Sequence, residues 1–303
     1  MKLYAAFTVV LAVGISSTAA FAEGSGRLEK IRQSGAITLG HPETSVPFAF
    51  LDENQKPVGY TVEICQEVAA AIKMKLGLDK LEIRYNPVTS ATRIPLISNG
   101  TIDLECGNTT NKLERHDFVS FAPTTFVAQI VLIARKESGL DVDDLASFRG
   151  KTIAAQAGGQ NFKTVSELNA KNNYGITVVA TNDIAQNFLM VESGRAAAAA
   201  NDDGLAYASV ASSKDPGAFV ISTKGLELAP YGIVEPKDDP EFKKVVDDAV
   251  IDLMKTGRIA TLYEKYFNTP IPPKNINLKY PMSTALKKAL KHPTDSGDPA
   301  DYQ

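Results

Sequence analysis

The chain has 303 residues, only two of them Cys, and a formal net charge of −3. That length allows two domains of ordinary size, and a hydrophobic content of 44% excludes a disordered or low-complexity chain. Basic and acidic residues are interspersed, which excludes nucleic acid as a partner, because neutralising phosphates needs clustered Lys and Arg.

The first residues read as an export leader. Lys2 gives a positive start, residues 5–15 form a short apolar core, and Ala20-Phe21-Ala22 is a cleavage site, so residues 1–22 are the expected signal peptide. The core is shorter than the ~20 apolar residues of a bilayer span. No Cys follows it to carry a lipid anchor, and no later stretch is apolar enough to cross a membrane. A periplasmic location is expected.

Strands and helices then alternate. Residues 36–40 read as a buried strand, and 48–51 as a short apolar segment before the turn Asn54-Gln55-Lys56-Pro57. Residues 60–76 read as a helix with Ile64, Val68 and Ile72 on one face and Cys65 beside them. Residues 81–87 read as a strand, 93–99 as a short helix stopped by Gly100, and 102–106 as a strand. Asn111 and Glu114 form a capping box that predicts a helix opening at 111–115. A long strand follows at 126–134.

The pattern then restarts. A short helix is expected after Asp143-Asp144, strands at 152–155, 176–180 and 196–201, and helices at 161–170, 184–193 and 202–212. Asp239 and Pro240 open a helix in which Phe242, Val246, Val250 and Met254 recur, and a further helix covers 260–267. The polar tail after Lys291 reads as loose. Alternating strands and helices predict mostly parallel sheets covered on both faces, in two α/β lobes with the second inserted into the first. Ligands of such sheets bind beyond the carboxyl ends of strands, which can face each other across a cleft.

Cys65 and Cys106 are compatible with a disulfide in an oxidising compartment or with two buried thiols. His41, His116 and His292 show no metal-ligand spacing, there is no GxSxG elbow, and neither metal nor cofactor is expected. Gly150-Lys151-Thr152 resembles the end of a phosphate-binding loop, but Leu145 stands where its first glycine belongs, and a strand follows.

Charged ligands of small size fit better. In Gly107 to Arg115, Thr110 can donate a hydroxyl, and Arg115 can grip a carboxylate with a planar fork; a solvated Arg is the plainer alternative. Thr89 to Arg93 also follows a strand and opens a helix, with Arg93 free to bind ligand or to pair with an acid. Asp202 and Asp203 follow a strand, where one can accept an ammonium, and Asp203 is better read as a cap. Gly158-Gly159-Gln160 allows close backbone approach at a helix start.

In combination, several motifs carry a resemblance over residues 28–290: Thr89-Ser90 with Arg93-Ile94-Pro95-Leu96, Glu105-Cys106-Gly107, Thr109-Thr110-Asn111 with Glu114-Arg115, Glu192-Ser193-Gly194-Arg195-Ala196, Asp202-Asp203, and Pro270-Ile271-Pro272-Pro273-Lys274-Asn275. The chain resembles the periplasmic amino-acid-binding proteins of ABC uptake systems, specifically their glutamate/aspartate-binding branch. The resemblance implies a two-lobed type II periplasmic-binding-protein fold, with two doubly wound sheets joined by a two-strand hinge. Lobe 1 would span residues 23–126 and 230–303, and lobe 2 residues 127–229. It implies a monomer that hands an amino acid to a membrane ABC permease. Ser90, Arg93, Thr110 and Arg115 would hold the ligand from lobe 1, and Asp202 would take its ammonium from lobe 2. Five positions depart from the branch. Pro42 replaces an Arg, Ile184 a His and Asn108 a Ser, while Gly159-Gln160 replaces a Thr pair. Losing cations there predicts a neutral amino acid, or one of different shape, as the ligand. Asn108 and Gln160 are then further candidate contacts. The rival reading is a dehydratase of the cyclohexadienyl or arogenate type on the same fold, with Glu43 or Glu105 as proton donor.

Overall fold

The computed structural model describes residues 26–272 and 274–303; the expected leader lies outside them. The chain opens with α1 (Arg27–Ser34), β1 (Ala36–His41), β2 (Thr44–Ser45), β3 (Ala49–Leu51), β4 (Pro57–Val58), α2 (Tyr60–Leu76), β5 (Glu82–Pro87), α3 (Arg93–Ser98), β6 (Leu104–Glu105) and β7 (Val119–Phe121). Then follow β8 (Phe126–Arg135), β9 (Thr152–Gln156), α4 (Gln160–Asn172), β10 (Thr177–Thr181), α5 (Ile184–Glu192), β11 (Ala198–Asp202), α6 (Asp203–Ser212) and β12 (Phe219–Ile221). The return is made by β13 (Leu228–Tyr231), β14 (Val234–Pro236), α7 (Pro240–Lys255), α8 (Arg258–Phe267) and α9 (Thr284–Lys291).

Among the described residues the strands form two large open sheets and one small antiparallel sheet, β2-β3-β4. The first has the order β5-β1-β6-β14-β7, and the second contains β10-β9-β11-β8-β12, with β13 also paired to β8. In both, the first three strands are parallel, as βα alternation requires. The strands that follow are antiparallel, namely β14 against β6 and β7, and β8 against β11 and β12. The chain passes between sheets twice, from β7 into β8 and from β13 into β14. The two crossing strands pair with each other, Phe126 opposite Tyr231 and Gln129 opposite Leu228. This antiparallel ladder is the two-strand hinge.

Helix α7 shows why the late segment folds as it does. Phe242, Val246, Val250 and Met254 fall four residues apart and are all buried. The Asp239 carboxylate accepts from the Phe242 N–H at 3.0 Å, and Pro240 sits where no N–H is needed. Cys65, in α2, is joined to Cys106, just past β6, by a disulfide with Cα atoms 6.1 Å apart. Aromatic rings fill the base of the hinge: Phe48 packs on Phe126 and Tyr231 with centroids 4.7 and 5.2 Å away.

Two sequence expectations are corrected. The capping box at Asn111 does not open a helix; only a 3-10 turn forms at Leu113–Arg115. Asn111 is wholly buried and spends its side chain on the Asp295 carbonyl and on His116, while Glu114 pairs with Lys163. The tail after Lys291 is not loose. Tyr302 is buried, and its hydroxyl lies 2.8 Å from Thr124 Oγ1, beside the first crossing. The short strands β2, β4, β7 and β12 to β14 were not foreseen either. Segments of two to four residues carry too little periodicity to read.

Candidate functional site

The site lies where strands of both sheets end. In the first lobe, β5 runs into the loop at Thr89, which is closed by the Thr89 N–H donating to Thr92 Oγ1 at 2.9 Å. That loop presents Ser90 and starts α3 at Arg93. Arg93 is 4% exposed, and its Nη2 donates to Ser90 Oγ at 2.9 Å. Behind it stands Glu105 on β6, fully buried, with Oε1 3.7 Å from Arg93 Nη1 and Oε2 accepting from Thr109 Oγ1 at 2.6 Å. Burial pushes the Glu105 carboxyl up, while Arg93 and the Thr109 hydroxyl pull it back.

The stretch after β6 supplies the second guanidinium. Arg115 Nη1 donates to the Thr110 carbonyl at 2.7 Å, which aims its fork toward the second lobe. Its Nη2 approaches the Gly158 carbonyl there at 3.5 Å. Burial, reinforced by nearby Arg93, lowers the Arg115 pKa to about 10, so it stays charged. Gly158 must lack a side chain: a Cβ there would lie 2.9 Å from Ala91 Cα, and its φ of +70° suits glycine. Ser90, Arg115, Gly158 and Gln160 line one cavity of about 370 Å³.

From the second lobe, β11 delivers Asp202. It is 2% exposed; Oδ1 accepts from Asn161 Nδ2 at 3.1 Å, and Oδ2 accepts from the Tyr231 hydroxyl. Burial raises its pKa to about 7 despite these donors. Asp203 turns elsewhere, accepting from Tyr280 Oη at 2.6 Å.

The sequence candidates thus converge in large part. Ser90, Arg93, Thr110, Arg115 and Asp202 meet around the cleft, and Asn108 is buried within reach of the Tyr231 hydroxyl. Gln160 is less free than expected, because its Nε2 is shared between Thr164 Oγ1 and Glu227 Oε2, both at 3.2 Å. Glu227 also holds Lys112 across the lobes. Sequence reasoning missed Tyr231, Asn161 and the Lys112–Glu227 and Lys163–Glu114 pairs. No motif marks them, since each partner lies far away in the chain. Pro42 is buried against Gly107, where a Cβ would lie 2.8 Å from its Cδ and 2.3 Å from Glu105 Oε1. Ile184 is buried in the apolar cluster with Phe48 and lines a separate cavity with Val46, Phe50 and Phe188. Neither proton-donor candidate suits catalysis: Glu105 is sealed from solvent and Glu43 sits exposed outside the cavity of Ser90 and Arg115. Among the described residues, no group of His, Cys, Asp or Glu is arranged to hold a metal ion.

Comparison with known proteins settles the family. The model for bacterial extracellular solute-binding proteins, family 3, matches residues 37–269. This chain belongs to that family. It is 40% identical over 290 residues to the L-glutamate/L-aspartate-binding protein of Pseudomonas aeruginosa, covering 95% of each chain. It is 35% identical over 300 residues to the glutamate/aspartate import solute-binding protein of Escherichia coli, covering 97% and 99%. Among solved structures, a mutant of ArgBP from T. maritima superposes with a TM-score of 0.71 at 29% identity, covering 79% of this chain and 98% of that one. The two-lobed architecture is that of the family, and this solute-binding chain is a transport component, not an enzyme.

Proposed function

We propose that this chain captures a zwitterionic amino acid in the periplasm and delivers it to an ABC permease. The single observation that carries this is the opposition of Arg115, from the first lobe, to buried Asp202, from the second. A guanidinium fork suits the α-carboxylate and a desolvated carboxylate suits the α-ammonium, and each would be costly to bury without its partner. The import and binding roles of the relatives point the same way.

In this reading residues 1–22 are cleaved on export, residues 23–126 and 230–303 form the lobe that captures first, and residues 127–229 fold over the ligand as a monomer closes about the β8–β13 hinge. Contacts of the closed form carry the population shift. The Lys163–Glu114 and Lys112–Glu227 pairs and the Gly158–Ala91 approach span the cleft and support closure of this kind.

The ligand's side chain is neutral. Pro42, packed beside Gly107 and the Glu105 carboxylate, brings no cation that could pair with an acidic side chain. Thermal shift and calorimetry across the twenty amino acids test this. A neutral amino acid at 100 times its Kd raises stability by ~2.7 kcal/mol. Tight glutamate binding with neutral amino acids rejected would overturn the side-chain assignment, and no heat with any amino acid would overturn the function.

A further inference from the structure

The loop that carries Thr110 and Arg115 has little regular structure of its own. Between β6 and β7 it forms a 3-10 turn at Leu113–Arg115, and an isolated bridge ties Thr110 to Tyr231 of the hinge. Within the turn, the Arg115 N–H donates to the Lys112 carbonyl at 2.8 Å and the His116 N–H to the Leu113 carbonyl at 3.1 Å. A segment held so sparsely must lose conformational freedom on binding unless something else fixes it first.

The last residues of the chain close over this loop. The Asp295 carbonyl accepts from Asn111 Nδ2 at 2.8 Å, and Asn111 Oδ1 lies 2.6 Å from His116 Nε2, so one side chain spans the turn and ties it to the tail. Gly297 is buried against the turn: a Cβ there would lie 2.6 Å from the Leu113 nitrogen and 2.8 Å from the Lys112 carbonyl carbon. The glycine serves this close approach and not a left-handed backbone. The tail is itself anchored. The Thr124 N–H donates to the Thr294 carbonyl at 2.8 Å, Lys243 of α7 holds the Asp295 carboxylate at 3.1 Å, and the hydroxyl of buried Tyr302 donates to the Ser296 carbonyl at 2.8 Å. All these tail residues lie beyond the stretch 37–269 that the family model matches.

We propose that the C-terminal tail, through Asp295 and Gly297, is a positioning element that holds the 107–116 loop in its ligand-binding conformation. It acts through the loop and rests on the assignment of Thr110 and Arg115 to the ligand's carboxylate. A loop that is competent only about a tenth of the time binds about tenfold more weakly, so the tail sets affinity.

The test is calorimetry on the intact protein, far below its melting temperature, with the amino acid that the unaltered protein binds tightest. Hydrogen exchange is followed in parallel on residues 107–118 and on α7. Gly297→Ala drives a methyl group into the Lys112–Leu113 backbone. Affinity falls about tenfold or more, and exchange quickens at 107–118 while α7 stays protected. Unchanged affinity overturns the proposal, and so does exchange that quickens equally in α7, which marks a general loss of stability. Arg115→Ala is measured alongside. If it binds normally, the carboxylate reading fails and the proposal goes with it; if it loses binding while Gly297→Ala keeps it, only the proposal fails. Should Gly297→Ala not fold, Asp295→Ala, at a half-exposed side chain, releases the same segment from Lys243 and is read by the same two measurements with the same outcomes.

Discussion

Tyr231, on a hinge strand, donates its phenolic hydrogen to Asp202 at the tip of the second lobe's central sheet. One hydroxyl thus links the pivot of the molecule to the group proposed to receive the ligand's ammonium. Tyr231→Phe removes a donor to a buried carboxylate and weakens amino-acid binding by about 1.5–3 kcal/mol. Calorimetry reads this directly; unchanged affinity would detach Asp202 from the ligand.

The same carboxylate makes binding pH-dependent. Asp202 has its pKa raised by burial to about 7, so the folded chain holds that proton more tightly than the unfolded one. Its contribution to stability therefore declines as pH climbs from the ordinary aspartate range toward 7 and is fully unfavourable above it. Binding runs the other way, because an ammonium needs the ionised form. Affinity falls about tenfold for each pH unit below 7, and binding at pH 6 releases close to one proton. Calorimetry in buffers of different ionisation enthalpy measures that proton, and a flat affinity between pH 5.5 and 7.5 would exclude Asp202 as acceptor.

Arg115 is braced by the Thr110 carbonyl, so its removal should leave the backbone in place. Arg115→Ala abolishes measurable capture, a loss of about 2–5 kcal/mol, while the unliganded melting temperature changes little. Arg115→Lys recovers only part of the affinity, since an ammonium cannot grip both carboxylate oxygens. Normal binding by the Ala variant would put the carboxylate elsewhere.

The Cys65–Cys106 bridge closes a loop of 41 residues and ties α2 to the strand that leads into the ligand loop. Loop-closure entropy puts its contribution at about 4 kcal/mol. Scanning calorimetry with and without reductant, or of a double Cys→Ala variant, should show a lower melting temperature by several degrees. Equal stability in both states would mean that native strain offsets the cross-link.

The C-terminal tail is a structural part of the first lobe. Tyr302 is buried and bonded to Thr124, and the Asp295 carbonyl accepts from Asn111. Tyr302→Ala costs about 3–5 kcal/mol of stability, as for other buried aromatics, whereas Tyr302→Phe costs about 1 kcal/mol. Urea unfolding distinguishes them, and a tail deletion that unfolds like the full chain would contradict the packing.

Much of this protein was legible locally. Helix α7 could be read from Asp239, Pro240 and a four-residue apolar repeat, because burial of one helical face imposes that period. The strand-then-helix alternation and the two-lobed α/β architecture were legible for the same reason, as local pattern. Where the local pattern misled, a distant partner had outbid it: Asn111 had every feature of a helix cap, but the tail's Asp295 carbonyl and His116 took its side chain. The Tyr231–Asp202 bond, the Glu105–Arg93 contact and the docking of Tyr302 join residues 29, 12 and 178 positions apart. Only the tertiary structure decides such pairings, because hydrogen bonding and desolvation depend on which groups share a buried volume, and chain order does not encode that.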